Sequence, residues 1–252
     1  MRRTPRRPHL EIFPDARAAA GRLADRIVGA LAENPGLVLG LPTGRTPVAF
    51  YHELASRVEH GAADLSGATT FNLDEFVGIP ANHPGSFRSF MNLHLFGRVN
   101  LRPERIHFLD GVADDTEEEC ARYERAIAAA GGIDVQILGL GTNGHIGFNE
   151  PAPALQARTH HVTLEPETRR DNAALFGGDP AAVPAEALSM GIATILQARQ
   201  IVLIATGAAK ASIIERLLRE PVTTELPGSF LQLHPDVEIV LDEAAAAGLR
   251  AS

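Results

Sequence analysis

Apolar and amphipathic segments alternate along the chain, and their periods differ. Over 15–33 the apolar residues Ala16, Ala19, Ala20, Leu23, Ile27, Ala30 and Leu31 recur at helical spacing, which predicts a helix with one buried face. Pro14-Asp15 supplies its start and Asn34-Pro35-Gly36 its stop. Residues 37–41 form a short apolar run of strand length. A Leu41-Pro42-Thr43-Gly44 turn follows, then a helix over 47–57 with proline in its first turn. The same pattern predicts strands over 69–73, 135–140, 201–205 and 237–241. It predicts helices over 86–96, 116–130, 165–175 and 208–218, and a helix-prone tail from Asp242. Thr116 with Glu119 has the spacing of a capping box.

Strands alternating with helices imply βαβ units and a mainly parallel sheet, an α/β fold. No internal repeat and no long linker divides the chain, so residues 9–252 are expected to form a single domain. Residues 1–8 hold four arginines and two prolines and read as a disordered basic tail. In an open α/β sheet, ligands bind beyond the carboxyl ends of strands. Three loops lie there: 42–46, 74–85 and 141–150.

Composition narrows the field. With 45% hydrophobic and 21% charged residues, the 252-residue chain is ordinary globular protein. A net charge of −8 speaks against a broad nucleic-acid-binding surface. One cysteine, Cys120, forms no intrachain disulfide and no thiolate metal site by itself. No apolar run approaches the roughly 18 residues of a membrane helix, and no secretory signal is visible. A cytoplasmic protein without membrane partners is the expectation. Of 23 basic side chains, 22 are arginine, so the single lysine, Lys210, invites attention.

Four segments carry candidate chemistry. Gly40-Leu41-Pro42-Thr43-Gly44-Arg45-Thr46-Pro47 joins a strand to a helix start. Its N–H groups and threonine hydroxyls suit a phosphate, and it reads equally as a plain βα turn. Phe71-Asn72-Leu73-Asp74-Glu75-Phe76 sets two carboxylates after a buried strand. Only Asp74 continues the strand's line, as a buried base would. Gly141 to Pro151 packs Asn143, His145, Asn149 and Glu150 into one glycine-rich loop, where a His–Glu pair can move protons. Its spacing lacks the pattern of a zinc site. Ala205 to Lys210 again joins a strand to a helix, and a lysine in a first helical turn opposes the helix dipole unless an anion is present.

The segments LGLPTGRTP, TTFNLDEFVG, HPGSFRSFM, GTNGHIGFNEPA, TGAAK and LQLHPDVEIVLDE, in order over about 37–243, resemble the glucosamine-6-phosphate deaminase family. The sister lactonases, which act on 6-phosphogluconolactone, typically carry a GHTASLFP-like loop that this chain lacks. The resemblance implies a Rossmann-like three-layer α/β/α fold. It implies conversion of glucosamine 6-phosphate and water to fructose 6-phosphate and ammonium, without metal or other cofactor. It assigns ring opening to His145 assisted by Asn143 and Glu150, and the C2 proton to Asp74. The phosphate would sit on Thr43, Gly44, Arg45 and Thr46, with Lys210 as its cation.

Three departures stand out. Many members have Asp at Asn143. An arginine that reaches the phosphate in many members is matched by Ala174, while Arg45 stands where the best-known members have Gly. The basic residues of the regulated members' allosteric pocket are matched by His160 and Val162, which implies hyperbolic kinetics. Members range from monomers to hexamers, so a homo-oligomer is allowed. A lactonase, or a non-catalytic phosphosugar sensor, is the alternative. Retention of Asp74, His145 and Glu150, and the lack of room for a helix-turn-helix before Asp15, argue against a sensor.

Overall fold

The computed structural model describes residues 8–249, so all but Pro8 of the expected basic tail lies outside the described residues. Seven strands form one parallel sheet: β1 (His9–Phe13), β2 (Val38–Leu41), β3 (Thr69–Asn72), β5 (Ile106–His107), β6 (Val135–Leu138), β9 (Gln200–Ala205) and β10 (Val237–Asp242). Their spatial order is β1-β10-β9-β6-β2-β3-β5. From β2 the chain steps outward through β3 to β5, then returns to lay β6 on the other side of β2. The strand order therefore reverses between β2 and β6, where a crevice opens at the carboxyl ends.

Both faces of this sheet are covered. On one side Leu39, Leu41, Ile137, Val202 and Ile204 pack with α1 (Ala16–Glu33), α2 (Thr46–Glu59) and α3 (Phe87–His94). On the other, Phe71, Leu138, Leu203 and Ile239 pack with α4 (Thr116–Ala129), α6 (Ile192–Leu196) and α7 (Ala211–Arg219). Alternate residues of each strand enter opposite cores, as the two-residue strand period requires. The arrangement is the three-layer α/β/α fold expected from the sequence. No helix among the described residues is long and apolar enough to cross a membrane.

A second, three-stranded antiparallel sheet was not anticipated. It runs β4-β8-β7, from β4 (Asp74–Phe76), β8 (Glu186–Ser189) and β7 (His160–Thr163). Beneath it Phe76, Phe87, Phe148, Leu164, Ala173, Val183 and Ala187 form a third apolar cluster.

Several helix boundaries differ for local reasons. Asp15 does cap α1, accepting the Ala18 N–H at 2.8 Å. The Thr116/Glu119 capping box is not formed. Asp115 caps α4 instead, accepting from the Glu117 and Glu118 N–H groups, and Glu119 reaches the Asp110 N–H at 2.7 Å. The helix expected over 165–175 is α5 (Pro166–Asn172), continued by a 3-10 turn that stops at Gly177, φ 70°. Lys210 ends a 3-10 turn and occupies the N-cap of α7 rather than its first turn. Past Asp242 the described residues form turns and a 3-10 segment, Ala247–Leu249, not a helix. Asp242 is occupied differently, accepting the Gly207 and Ala245 N–H groups.

Candidate active site

A cleft of about 260 Å³ lies over the β2/β6 reversal. Thr43, Gly44, Arg45, Thr46, Asp74, His145 and Lys210 all line it, so seven of the nine residues singled out in the sequence meet in one space. Asn143 and Glu150 are not on its surface; they stand behind His145. Of the 74–85 loop only Asp74 lines the cleft.

The wall after β2 is the 42–46 turn. Gly44 adopts φ +97°, a left-handed conformation that favours glycine, and lets the chain turn into α2. Tyr51 donates from α2 to the Pro42 carbonyl and fixes the turn from below. No side chain caps the N-terminus of α2, and its first residues, Thr46 and Pro47, line the cleft beside Thr43.

The two carboxylates after β3 have opposite fates. Both are buried, not solvated. Glu75 accepts three backbone N–H groups, those of Phe76, Phe87 and Arg88, each at 2.9 Å. It is thereby the anchor of the α3 N-terminus, and burial still moves its carboxyl upward. Asp74 pairs through the backbone with Ser189 on β8. Its Oδ1 is buried and has no hydrogen-bond partner. Burial, reinforced by the Glu75 charge and only partly offset by a hydrogen bond with Thr43, pushes the Asp74 carboxyl up to about 8.

The wall after β6 holds the imidazole. His145 Nδ1 lies 3.2 Å from Glu150 Oε2, and Asn143 Nδ2 donates to the same oxygen at 2.7 Å. Asn143 Oδ1 accepts the His145 N–H at 3.1 Å, and Thr168 of α5 donates to Glu150 Oε1. Burial would raise the Glu150 carboxyl, but His145, Thr168 and Asn143 together hold it at about 2. Gly141 is required here because a Cβ would lie 2.4 Å from the His145 Cε1. With Nδ1 turned to Glu150, the ring keeps Nε2 for a ligand in the cleft.

At the far end, burial lowers the Lys210 ammonium from its ordinary value, opposed by Asp171 and reinforced by Arg45. Asp171, Asn172 and Ala174 of the α5 region line the cleft, as do Phe87 and Phe90 of α3. Sequence reasoning missed these residues and Thr168. Only Ala174 had been marked, as a departure. No spacing rule connects α5 to the His145 loop. The one group of His and carboxylates among the described residues close enough to share a metal ion, His9, Glu11 and Glu238, lies outside the cleft. Its carboxylates are paired with Arg22 and Arg26.

Comparison with known proteins gives the family and the fold. Residues 15–239 match the family model of glucosamine-6-phosphate isomerases/6-phosphogluconolactonase. A glucosamine-6-phosphate deaminase of Rhodopirellula baltica is 51% identical over 94% of this chain and 94% of its own. One from Beutenbergia cavernae is 48% identical over 95% of this chain and 92% of its own. Among solved structures, a monomeric glucosamine-6-phosphate deaminase superposes with a TM-score of 0.92 at 37% identity, covering 95% of this chain and 99% of that one. The 6-phosphogluconolactonase of Trypanosoma brucei, at 20% identity and TM-score 0.75 over 96% of this chain and 98% of that one, shares the fold. With the family model spanning most of its length and relatives this similar over nearly all of it, the chain belongs to the glucosamine-6-phosphate isomerase/6-phosphogluconolactonase family.

Proposed function

We propose that the protein is a glucosamine-6-phosphate deaminase, converting glucosamine 6-phosphate and water to fructose 6-phosphate and ammonium. The observation that carries the reading is the pairing of a buried, half-unpartnered Asp74 with a Glu150-held His145 on two walls of one cleft. A lactonase has no use for a base at C2. His145 is the group that opens the sugar, moving the proton of the C1 hydroxyl to the ring oxygen. Asp74 then takes the C2 proton and returns it at C1 through an enolamine, leaving an iminium at C2. Water adds to that carbon and ammonium departs. A carboxylate raised to about 8 is a stronger base than a solvated one, which suits the abstraction of a carbon-bound proton. The 42–46 turn, the α2 N-terminus, Arg45 and Lys210 receive the phosphate dianion.

The test is ammonium release with glucosamine 6-phosphate, galactosamine 6-phosphate and 6-phosphogluconolactone supplied in parallel. Release from glucosamine 6-phosphate is expected, and silence with both amino sugars sinks the reading.

Arg45 supplies the guanidinium that Ala174 does not. Arg45→Ala should raise KM about tenfold with little change in kcat, and adding Ala174→Arg should recover part of the loss. An unchanged KM in the single variant would end this assignment.

Allosteric activation is not expected. His160 and Val162 lie on β7, and burial lowers the His160 imidazole from its usual value, so it is neutral at pH 7. Neither residue offers a cation to an effector phosphate. Rate against substrate should be hyperbolic, with the half-saturation point unmoved by N-acetylglucosamine 6-phosphate; a sigmoidal curve contradicts this.

A further inference from the structure

The phosphate end of the cleft carries a charge that an anion site does not need. Arg45, Lys210 and Asp171 all line it. Asp171 and Arg45 are exposed and Lys210 is half-buried. Among the described residues none of the three closes an ion pair, yet Lys210 senses both of the others. The carboxylate is not there for want of basic residues on α5. Arg169 and Arg170 immediately precede it, and Arg169 turns away to the Val183 and Ala181 carbonyls. Ala174, on the cleft wall just beyond Asp171, leaves room beside it.

We propose that Asp171 is a resident counter-anion of the phosphate subsite, balancing Arg45 and Lys210 in the empty cleft and competing with the substrate's phosphate for them. The inference rests on the deaminase reading for the identity of the substrate, but not for the electrostatics. A dianion entering the cleft meets two cations and one fixed carboxylate. Screening over about 8 Å at physiological salt leaves charges within a space this small coupled. Asp171 therefore weakens phosphoester binding and hastens departure of the phosphorylated product, and it acts on affinity rather than on the reacting carbons.

Asp171→Asn tests this. KM for glucosamine 6-phosphate and the inhibition constant of inorganic phosphate should both fall about 3- to 10-fold, with kcat equal or lower. Both gains should shrink at about 0.5 M KCl, because the term removed is electrostatic. Constants that stay the same or rise overturn the proposal, since the carboxylate would then be idle or would be accepting a substrate hydroxyl. A gain untouched by salt also overturns it, because it would be steric. If the wild-type protein released no ammonium, the deaminase reading would fail by itself. Calorimetric binding of inorganic phosphate to wild type and Asp171→Asn would still decide the role of Asp171.

Discussion

Asp74→Asn should abolish ammonium release, by a factor of about 10³ or more, and at pH 8 should make the protein harder to melt. The first effect follows from loss of the one carboxylate on the cleft, among the described residues, that is buried and partly unpartnered. The second follows from linkage. The folded-state carboxyl sits at about 8, far above its ordinary 3.8. Between those two values the unfolded chain has released this proton and the native protein still holds it. Native stability from this group is therefore complete below about pH 4 and is lost as pH rises towards about 8. Asparagine fills nearly the same space and never ionises. Its advantage should be absent near pH 4 and grow to a few kcal/mol near pH 8, a rise of several degrees in Tm. Melting curves of both proteins across pH 4–9 check this; a variant less stable at every pH would contradict it. In the wild-type enzyme the same ionisation should appear as an acid limb of kcat/KM that levels off near pH 8, because the base works only when charged.

Glu150→Gln should do the reverse to stability while also damaging turnover. Glu150 accepts from Asn143, His145 and Thr168 at once, and its carboxyl is held at about 2. A group depressed below its ordinary 4.5 contributes stability above that pH, which is lost as pH falls from about 4.5 through about 2. At pH 7 the variant should lose about 1–3 kcal/mol, and the difference should narrow as acid is added. Glutamine keeps one acceptor oxygen: set towards Asn143 and His145, it turns its NH2 to Thr168, whose hydroxyl must then accept instead of donate, and the charge that draws the imidazole is gone. The imidazole is then free to turn, or to adopt the other tautomer. We expect kcat to fall about 10²-fold or more with a smaller change in KM. A variant of normal kcat would show that His145 needs no carboxylate behind it.

Much of this site was legible before the fold was known, and for identifiable reasons. Gly44 and Gly141 mark places where the backbone must bend or admit a ring. The residues around them follow apolar strands, which sets them at the carboxyl end of the sheet. Asp74 was separable from Glu75 by strand alternation. The sequence could not tell that Glu75 is equally buried, because its three N–H partners include Phe87 and Arg88, more than ten residues on. The small sheet was hidden for another reason. β7, with the sequence HHVT, alternates half-buried with exposed positions and has no apolar run. β4 is three residues long. Strands so short are defined by their partners, not by their own composition. Thr168, which holds the second oxygen of Glu150, lies in a separate helix, and only the folded chain brings the two together.

The aromatic cluster under the small sheet has a consequence for how the site can change over generations. Phe148 stands beside both Phe76 and Phe87, with ring centroids 5.8 Å away in each case. It belongs to the histidine loop, Phe76 to the strand of the base, and Phe87 to the helix on the rim. The proton-handling groups share one foundation, so an alteration there is felt by both walls and is expected to be purged by selection. Arg45, Asp171 and Ala174 rest against solvent instead. Drift in preferred substrate, natural or directed, should therefore accumulate at that end, where a residue can be exchanged without disturbing the acid and the base.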